Sequence, residues 1–162
     1  MFSHCKTPQD IKNLYRKMAF KYHPDHGGDN DMMKKINAAY HTALAAMHGF
    51  TAKGHDGKKH TYYYNQKVEQ AVMDKVEELL TLNLTGCTIE IIGTWIWISG
   101  GTKPHREKLR TSKCQWHDKR GRWFWHGPQR RSKYNKHINF AGLRNTYGVA
   151  GRWDIEENRQ IA

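Results

Sequence analysis

The chain has 162 residues, of which 38% are hydrophobic and 26% are charged, so it holds one domain or two small domains with modest cores. Its 27 Lys and Arg side chains outnumber 15 Asp and Glu, and the formal charge of +12 favours a polyanionic partner such as nucleic acid, a nucleoprotein or an acidic protein surface. The longest apolar runs, such as residues 94–98, are far shorter than the roughly 20 residues of a membrane-spanning helix, which excludes an integral membrane protein.

The first predicted element is a helix that begins near residue 8. Thr7 is a suitable N-cap, Pro8 occupies the first helical position and Asp10 lies at the positive end of the helix dipole. Apolar residues then recur at helical spacing up to Tyr22. Pro24 disfavours helical geometry in the residue before it, so the pattern predicts that the helix ends there.

A loop over residues 23–29 and a second helix follow. Two glycines loosen the backbone of the loop, and Asp29 or Asn30 is placed to cap the next helix. The second helix has an apolar face that can pack antiparallel against the first. Residues 1–48 are therefore predicted to form a minimal helical hairpin, and residues 49–64, rich in Gly, His and Lys, are predicted to be a mobile linker.

A second module is predicted over residues 65–148, with a weakly patterned tail over residues 149–162. In this module, β-branched and aromatic runs alternate with helical periods. The predicted elements are, in order, a helix (65–82), one or two strands (88–98), a short helix (102–112), a strand pair (114–117 and 122–126) and a short helix (139–147). The fold class is thus α+β, a helical hairpin followed by a small α-β(β)-α-ββ-α module.

The tripeptide His23-Pro24-Asp25 lies in the loop between the first two helices. Its surroundings match a known pattern of helix, loop and helix at the expected spacing, namely Tyr15, Met18, Ala19, Lys21 and Tyr22 before it and Gly27, Gly28 and residues 36–40 after it. This combination resembles the J-domain of the DnaJ family. The resemblance implies that the loop and the basic face of the preceding helix dock on a DnaK-type chaperone and stimulate its ATPase.

The resemblance assigns this chaperone-binding role to six residues of the chain, which are Arg16, Lys17, Lys21, His23, Pro24 and Asp25. Their physical properties suit the role, because a proline fixes the loop backbone and three neighbouring cations make a positive stripe that would steer an acidic partner surface. The chain departs from the family at its start, where residues 2–6 stand in place of the family's first helix.

The basic residues are concentrated in one window of the second module. Residues 103–144 hold 13 basic and 2 acidic side chains, a net charge of +11, and aromatic rings are interleaved with them. Such a surface binds phosphates by charge and stacks unpaired bases on its rings. The alternative is that the rings form a small core and the cations are its solvated face.

Strand alternation divides the aromatic residues of this window between two faces. Trp123 and Trp125 point to one side of their strand and Arg122, Phe124 and His126 to the other, so one face can close a core while the opposite face carries cations and rings. The predicted nucleic-acid-binding residues are Lys119, Arg120, Arg122, Arg130, Arg131 and Lys133, together with Trp95, Trp97, Trp123 and Trp125.

A second resemblance rests on residues 93–109 and 114–126. They are similar to the C-terminal part of small J-domain proteins of phages and other bacterial mobile elements, which carry a basic Trp-rich module. More distantly, the strand, helix and Trp hairpin are similar to modules of DNA-processing proteins, including the HARP modules of annealing helicases. The first similarity implies a bacterial host cell.

Metal binding and catalysis have little support in the sequence. Cys114, His117 and His126 could approach one another in a hairpin, but no pair of metal-ligand spacing exists. Only Glu107 and Asp118 supply carboxylates in the basic window, and no phosphate-binding Gly-rich loop is present. We therefore expect no metal, no cofactor and no enzymatic activity. Three widely separated cysteines and a polar start to the chain predict a cytoplasmic protein without disulfides.

The sequence thus predicts a co-chaperone or adaptor that recruits a DnaK-type chaperone to a nucleic-acid or nucleoprotein client. The alternative is a phage-type nucleic-acid-binding or host-interaction effector in which the J-like helices are structural. A third possibility is an interaction protein whose basic surface meets an acidic protein.

Overall fold

The structure is a computed structural model that describes residues 1–22, 27–53, 57–128 and 139–156. The chain divides into two compact units, Met1–Gln66 (unit 1) and Lys67–Ala162 (unit 2). Three of the predicted chaperone-binding residues, His23, Pro24 and Asp25, lie outside the described residues, as do the predicted nucleic-acid-binding residues Arg130, Arg131 and Lys133.

Unit 1 begins with two helices, α1 (Pro8–Tyr22) and α2 (Asn30–Ala46). The Thr7 hydroxyl accepts a hydrogen bond from the Asp10 amide at 3.1 Å, and the Asp10 carboxylate accepts one from the Thr7 amide at 3.0 Å. This reciprocal cap stabilises the first turn of α1. The Asp29 carboxylate accepts from the amide of Asp31 and caps α2. Both helix starts are therefore confirmed.

The two helices pack through a stacked pair of tyrosines. The rings of Tyr15 on α1 and Tyr40 on α2 lie 4.1 Å apart, and the Tyr15 hydroxyl donates to Asn37 Oδ1 at 2.7 Å. Phe2 is buried and its ring tilts against Tyr40 at 6.4 Å. Residues at the start of the chain thus contribute a single aromatic anchor to the hairpin core.

Residues 49–64 are not simply a linker, which corrects the sequence-based expectation. They contain a two-stranded antiparallel hairpin, β1 (Thr51–Lys53) and β2 (Lys59–Thr61). The Tyr64 hydroxyl hydrogen-bonds His41 Nδ1 at 3.0 Å, and Lys12 Nζ lies 5.3 Å from the centre of the Tyr62 ring. Aromatic residues just after β2 therefore anchor this segment to both helices, a contact that glycine and lysine content does not reveal.

Unit 2 is an antiparallel sheet with helices on its two faces. Its elements are α3 (Gln66–Thr81), β3 (Cys87–Ile92), β4 (Trp95–Gly100), a 3₁₀ turn (Lys103–His105) leading into α4 (Arg106–Thr111), β5 (Gln115–His117), β6 (Arg122–His126), α5 (Phe140–Tyr147) and β7 (Val149–Asp154). The strand order is β5-β6-β4-β3-β7. The α+β class and the predicted order of elements up to α5 are confirmed.

The segment after Gly148, predicted as a tail, forms strand β7 over Val149–Asp154 and pairs with β3. The Thr88 hydroxyl donates to Asp154 Oδ1 at 2.7 Å across this pair. Hydrogen bonds from Thr88 and from Arg152 hold the pKa of the Asp154 carboxyl below its usual value. The strand was missed because its pairing partner lies about 60 residues away and no local alternation marks it.

The core lies between the sheet and α3. One face of the sheet, here called the α3 face, carries Ile89, Ile96, Ile98 and Trp123, which pack with Leu79 of α3 and neighbouring apolar residues. The opposite face, here called the α5 face, carries a smaller cluster built on Trp97 and Phe124, against which Phe140 of α5 packs. No helix among the described residues is long and apolar enough to cross a membrane.

Candidate functional site

The predicted chaperone-binding stripe lies on the side of α1 that faces away from α2. Lys17 and Lys21 are exposed and one turn apart, whereas Ile11 and Tyr15 are buried. Arg16 is partly buried and donates to Asn13 Oδ1 at 3.2 Å. The structure therefore presents two cations of the predicted stripe to solvent and holds the third against its own helix.

The α5 face brings together most of the described residues predicted to bind nucleic acid. Trp95 and Trp97 stack at 5.8 Å, and Phe124 lies 5.3 Å from Trp95 and 5.7 Å from Trp97. Trp95 and Trp97 therefore share one surface of the sheet. However, Trp97 is only 3% exposed, so its ring is not open for a base to stack on.

The arginines of the α5 face are engaged with aromatic rings of the same unit. The Arg120 guanidinium lies 5.7 Å from the centre of Trp97, and that of Arg122 lies 3.9 Å from the centre of Phe140. Arg144 approaches the same Phe140 ring at 4.8 Å. Burial lowers the pKa of Arg122, while the charge of Glu90 acts in the opposite direction. These cations pack the face as well as charging it.

Trp123 and Trp125 lie on the α3 face, as strand alternation predicts. Trp123 is 5% exposed and belongs to the core, which corrects its assignment as a nucleic-acid-binding ring. Trp125 is half-buried against the same core, with Lys75 Nζ 5.6 Å from its ring. Of the predicted cations that the structure describes, Lys119 is the most open, in the turn before β6.

Comparison with known protein families supports the identity of unit 1. The family model of the DnaJ domain matches residues 2–44, which include α1, the residues between the two helices and most of α2. The protein contains a J-domain. Its two capped helices and the His23-Pro24-Asp25 sequence between them belong to that match.

Curated relatives match the same region. The chain is 56% identical over 34 residues to DnaJ protein homolog 2 of Allium porrum, which is 21% of this chain and 8% of that protein. It is 49% identical over 41 residues to chaperone protein DnaJ of Mycoplasmoides gallisepticum (24% and 10%). It is also 58% identical over 31 residues to the small t antigen of budgerigar fledgling disease virus (19% and 21%).

The chain thus spans about a fifth or less of the length of these relatives, and the similarity falls on the J-domain. No solved structure matches the chain.

A group of basic residues in unit 2 was not predicted as a site. Lys103, Arg106 and Arg110 follow one another along the 3₁₀ turn and α4, and the exposed Trp116 lies next to them across a surface groove. The spacing of three and four residues was a usable sequence signal, because it places these cations on one side of a helix.

Metal ligands do not gather in the described part of the chain. No group of three or more His, Cys, Asp or Glu side chains is placed to hold a metal ion there. Cys114 lies in the core of the α3 face, whereas the ring of His117 contacts Trp97 on the α5 face. The hairpin therefore separates these two residues instead of bringing them together.

Proposed function

We propose that the protein is a cytoplasmic J-domain co-chaperone that recruits a DnaK-type chaperone through unit 1 to a nucleic-acid or nucleoprotein client held by unit 2. The observation that supports the first half most strongly is the DnaJ-domain match over residues 2–44. The sequence carries His23-Pro24-Asp25 directly after α1, and two exposed lysines of α1 supply the positive charge that an acidic partner surface requires.

An ATPase assay with a DnaK-type chaperone tests this half. The intact protein should raise the single-turnover ATPase rate, and His23→Gln should abolish the increase. The double variant Lys17→Gln/Lys21→Gln should weaken it because it removes the charge that steers association. Lys34→Gln/Lys35→Gln is the matched control, since it removes two exposed charges from α2 instead of α1. Lack of stimulation by the intact protein would contradict the co-chaperone role.

The nucleic-acid half is supported by the charge of unit 2. Residues 103–144 carry a net charge of +11. Arg120 and Arg122 lie beside aromatic rings on the α5 face, and Lys103, Arg106 and Arg110 line a groove with Trp116 on the α3 face. Cations neutralise phosphates and release counterions, while rings stack bases. Arg120 and Arg122 on the α5 face and Lys119 in the turn before β6 remain predicted phosphate contacts. The absence of an enzymatic activity also remains a prediction.

The alternative function is a nucleic-acid-binding or host-interaction effector of phage type, in which the J-domain serves only as structure. This alternative is supported by the similarity of residues in unit 1 to a viral small t antigen. It predicts salt-sensitive nucleic-acid binding that is retained in His23→Gln and no ATPase stimulation by any form of the protein. Pull-down with and without nuclease treatment separates the two, because a chaperone retained after nuclease treatment supports the co-chaperone.

A further inference from the structure

A surface groove of about 550 Å³ opens on the α3 side of the sheet at its β5 edge. Its rim carries Lys103, Arg106 and Arg110, and Trp116 and Trp123 form an aromatic wall. The volume lies in the range of about 300–1,000 Å³ that small-ligand sites occupy. The groove therefore accommodates a group of nucleotide size, such as one unit of a polymer.

The rim cations are available to an incoming anion. Among the residues that the structure describes, Lys103 and Arg106 have no ion-pair partner, and both are exposed. Arg110 pairs with Glu107 at 3.1 Å, but their side chains are 64% and 85% exposed, so water already competes for this contact. This differs from the α5 face, where Arg120 and Arg122 contact aromatic rings.

Trp116 is held in place although nearly half of its surface is open. It is 46% exposed, and its ring meets the buried ring of Trp123 edge to face, with centroids 5.8 Å apart at 65°. Direct pairing of the two residues across β5 and β6 fixes this arrangement. A positioned and partly exposed indole is what base stacking requires, and Trp97 on the other face lacks this exposure.

The rest of the lining carries no formal charge and consists of Gly100, Gly101, Thr102, Cys114 and Gln115. A Cβ atom at Gly100 would lie 2.6 Å from the carbonyl oxygen of Gly86, so the backbone packs here more closely than any side chain permits. The Gly101 amide donates to the same oxygen at 2.9 Å. The Cys114 thiol also lines the groove, and burial raises its pKa to about 11, so the thiol is neutral at physiological pH.

We propose that this groove binds single-stranded nucleic acid, with an unpaired base stacked on Trp116 and phosphates bound by Lys103, Arg106 and Arg110. An acidic peptide fits less well, because its carboxylate side chains would pair with the cations but leave the exposed indole of Trp116 without a stacking partner. Every nucleotide has a phosphate and a flat base. Guanidinium groups bind the phosphate, and the neighbouring indole stacks on the base whatever its identity. The proposal rests on the nucleic-acid client proposed above and adds the site and the strand form.

The test is fluorescence anisotropy of the full-length protein with labelled oligo(dT) and oligo(U), and with the same sequences as duplexes. We expect single strands to bind more tightly than duplexes. Trp116→Ala should weaken binding about 5-fold to 150-fold, while Trp116→Phe retains most of it. Arg106→Gln/Arg110→Gln should weaken the binding of both oligo(dT) and oligo(U). The control Lys34→Gln/Lys35→Gln in unit 1 should change the affinity for either strand only slightly. The arginine pair is exposed, so its removal does not threaten folding.

Other outcomes overturn the proposal in distinguishable ways. If Arg120→Gln/Arg122→Gln abolishes binding and the groove variants do not, the groove is the wrong site and the nucleic-acid client stands. If the intact protein binds no nucleic acid, both fail, and the ATPase assay still decides the co-chaperone role. If labelled poly-glutamate binds more tightly than either oligonucleotide and Trp116→Ala releases it, the groove is an acidic-peptide site. Preference for duplexes would contradict the stacked base.

Discussion

At the scale of single residues, Glu90 is a buried carboxylate at the centre of the sheet in unit 2. It lies in the middle of β3 with a side chain that is 2% exposed, between isoleucines that face the core. Arg144 of α5 donates to its carboxylate at 2.8 Å, and Arg152 of β7 lies 3.7 Å away. A buried carboxylate is tolerated only with such partners, so Glu90 links α5 and β7 to the centre of the sheet.

We expect Glu90→Gln to lower the free energy of unfolding by about 1–3 kcal/mol, since it removes a charge-assisted hydrogen bond but leaves Arg144 partly solvated. The control is Glu107→Gln, which breaks the exposed pair with Arg110 and should cost less than about 1 kcal/mol. Urea denaturation followed by tryptophan fluorescence measures both. Equal effects of the two substitutions would show that burial of Glu90 adds nothing to the interaction.

At the scale of elements, the sequence predicts those features that depend only on neighbouring residues, such as helix caps and strand alternation. The caps at Thr7 and Asp29 and the two-residue alternation of Arg122–His126 are encoded within a few residues, and all three are found as expected. β7 is different, because its stability comes from pairing with β3, where the register shifts between Ile91 and Ile92. A short strand held by distant partners leaves no periodic signal in its own sequence.

The candidate site shows the same division. Alternation predicts that Arg122 and Phe124 share a face, and they do. Whether that face is open depends on α5, whose Phe140 covers it, and a helix after a long intervening segment cannot be placed by periodicity. The sequence did not single out Trp116 as a binding residue. Its exposure decides whether the ring can stack on a base or belongs to the core, and exposure depends on the assembled sheet.

We expect Ala150→Asp to show that β7 is part of the unit 2 core. Ala150 is 1% exposed within the main cluster, so a carboxylate there is buried without a partner, at a cost of about 3 kcal/mol or more. Ala150→Ser adds a similar polar atom without charge and should cost about 1 kcal/mol. Thermal unfolding followed by circular dichroism compares them. If both variants unfold at the wild-type temperature, β7 is dispensable for the core.

At the scale of the whole molecule, the net charge of +12 separates into surfaces with different uses. Lys17 and Lys21 give unit 1 an exposed positive side. In unit 2, Arg120 and Arg122 lie against rings, whereas Arg106 and its neighbours line an open groove. The functions proposed above assign a different polyanion to each surface, an acidic protein to unit 1 and a nucleic acid to unit 2.

This separation predicts that the two activities respond independently to charge removal. The logarithm of the binding constant for oligo(dT) should fall linearly with the logarithm of salt concentration. Arg106→Gln/Arg110→Gln should make that slope shallower by about 1.4, roughly 0.7 for each phosphate of the single strand that is no longer neutralised, and keep ATPase stimulation at the wild-type level. Lys17→Gln/Lys21→Gln should leave the salt slope unchanged and weaken ATPase stimulation. Binding at the groove requires the slope to change only in Arg106→Gln/Arg110→Gln. If the slope changes equally in Lys17→Gln/Lys21→Gln, nucleic acid binds through net charge alone and the groove is not the site.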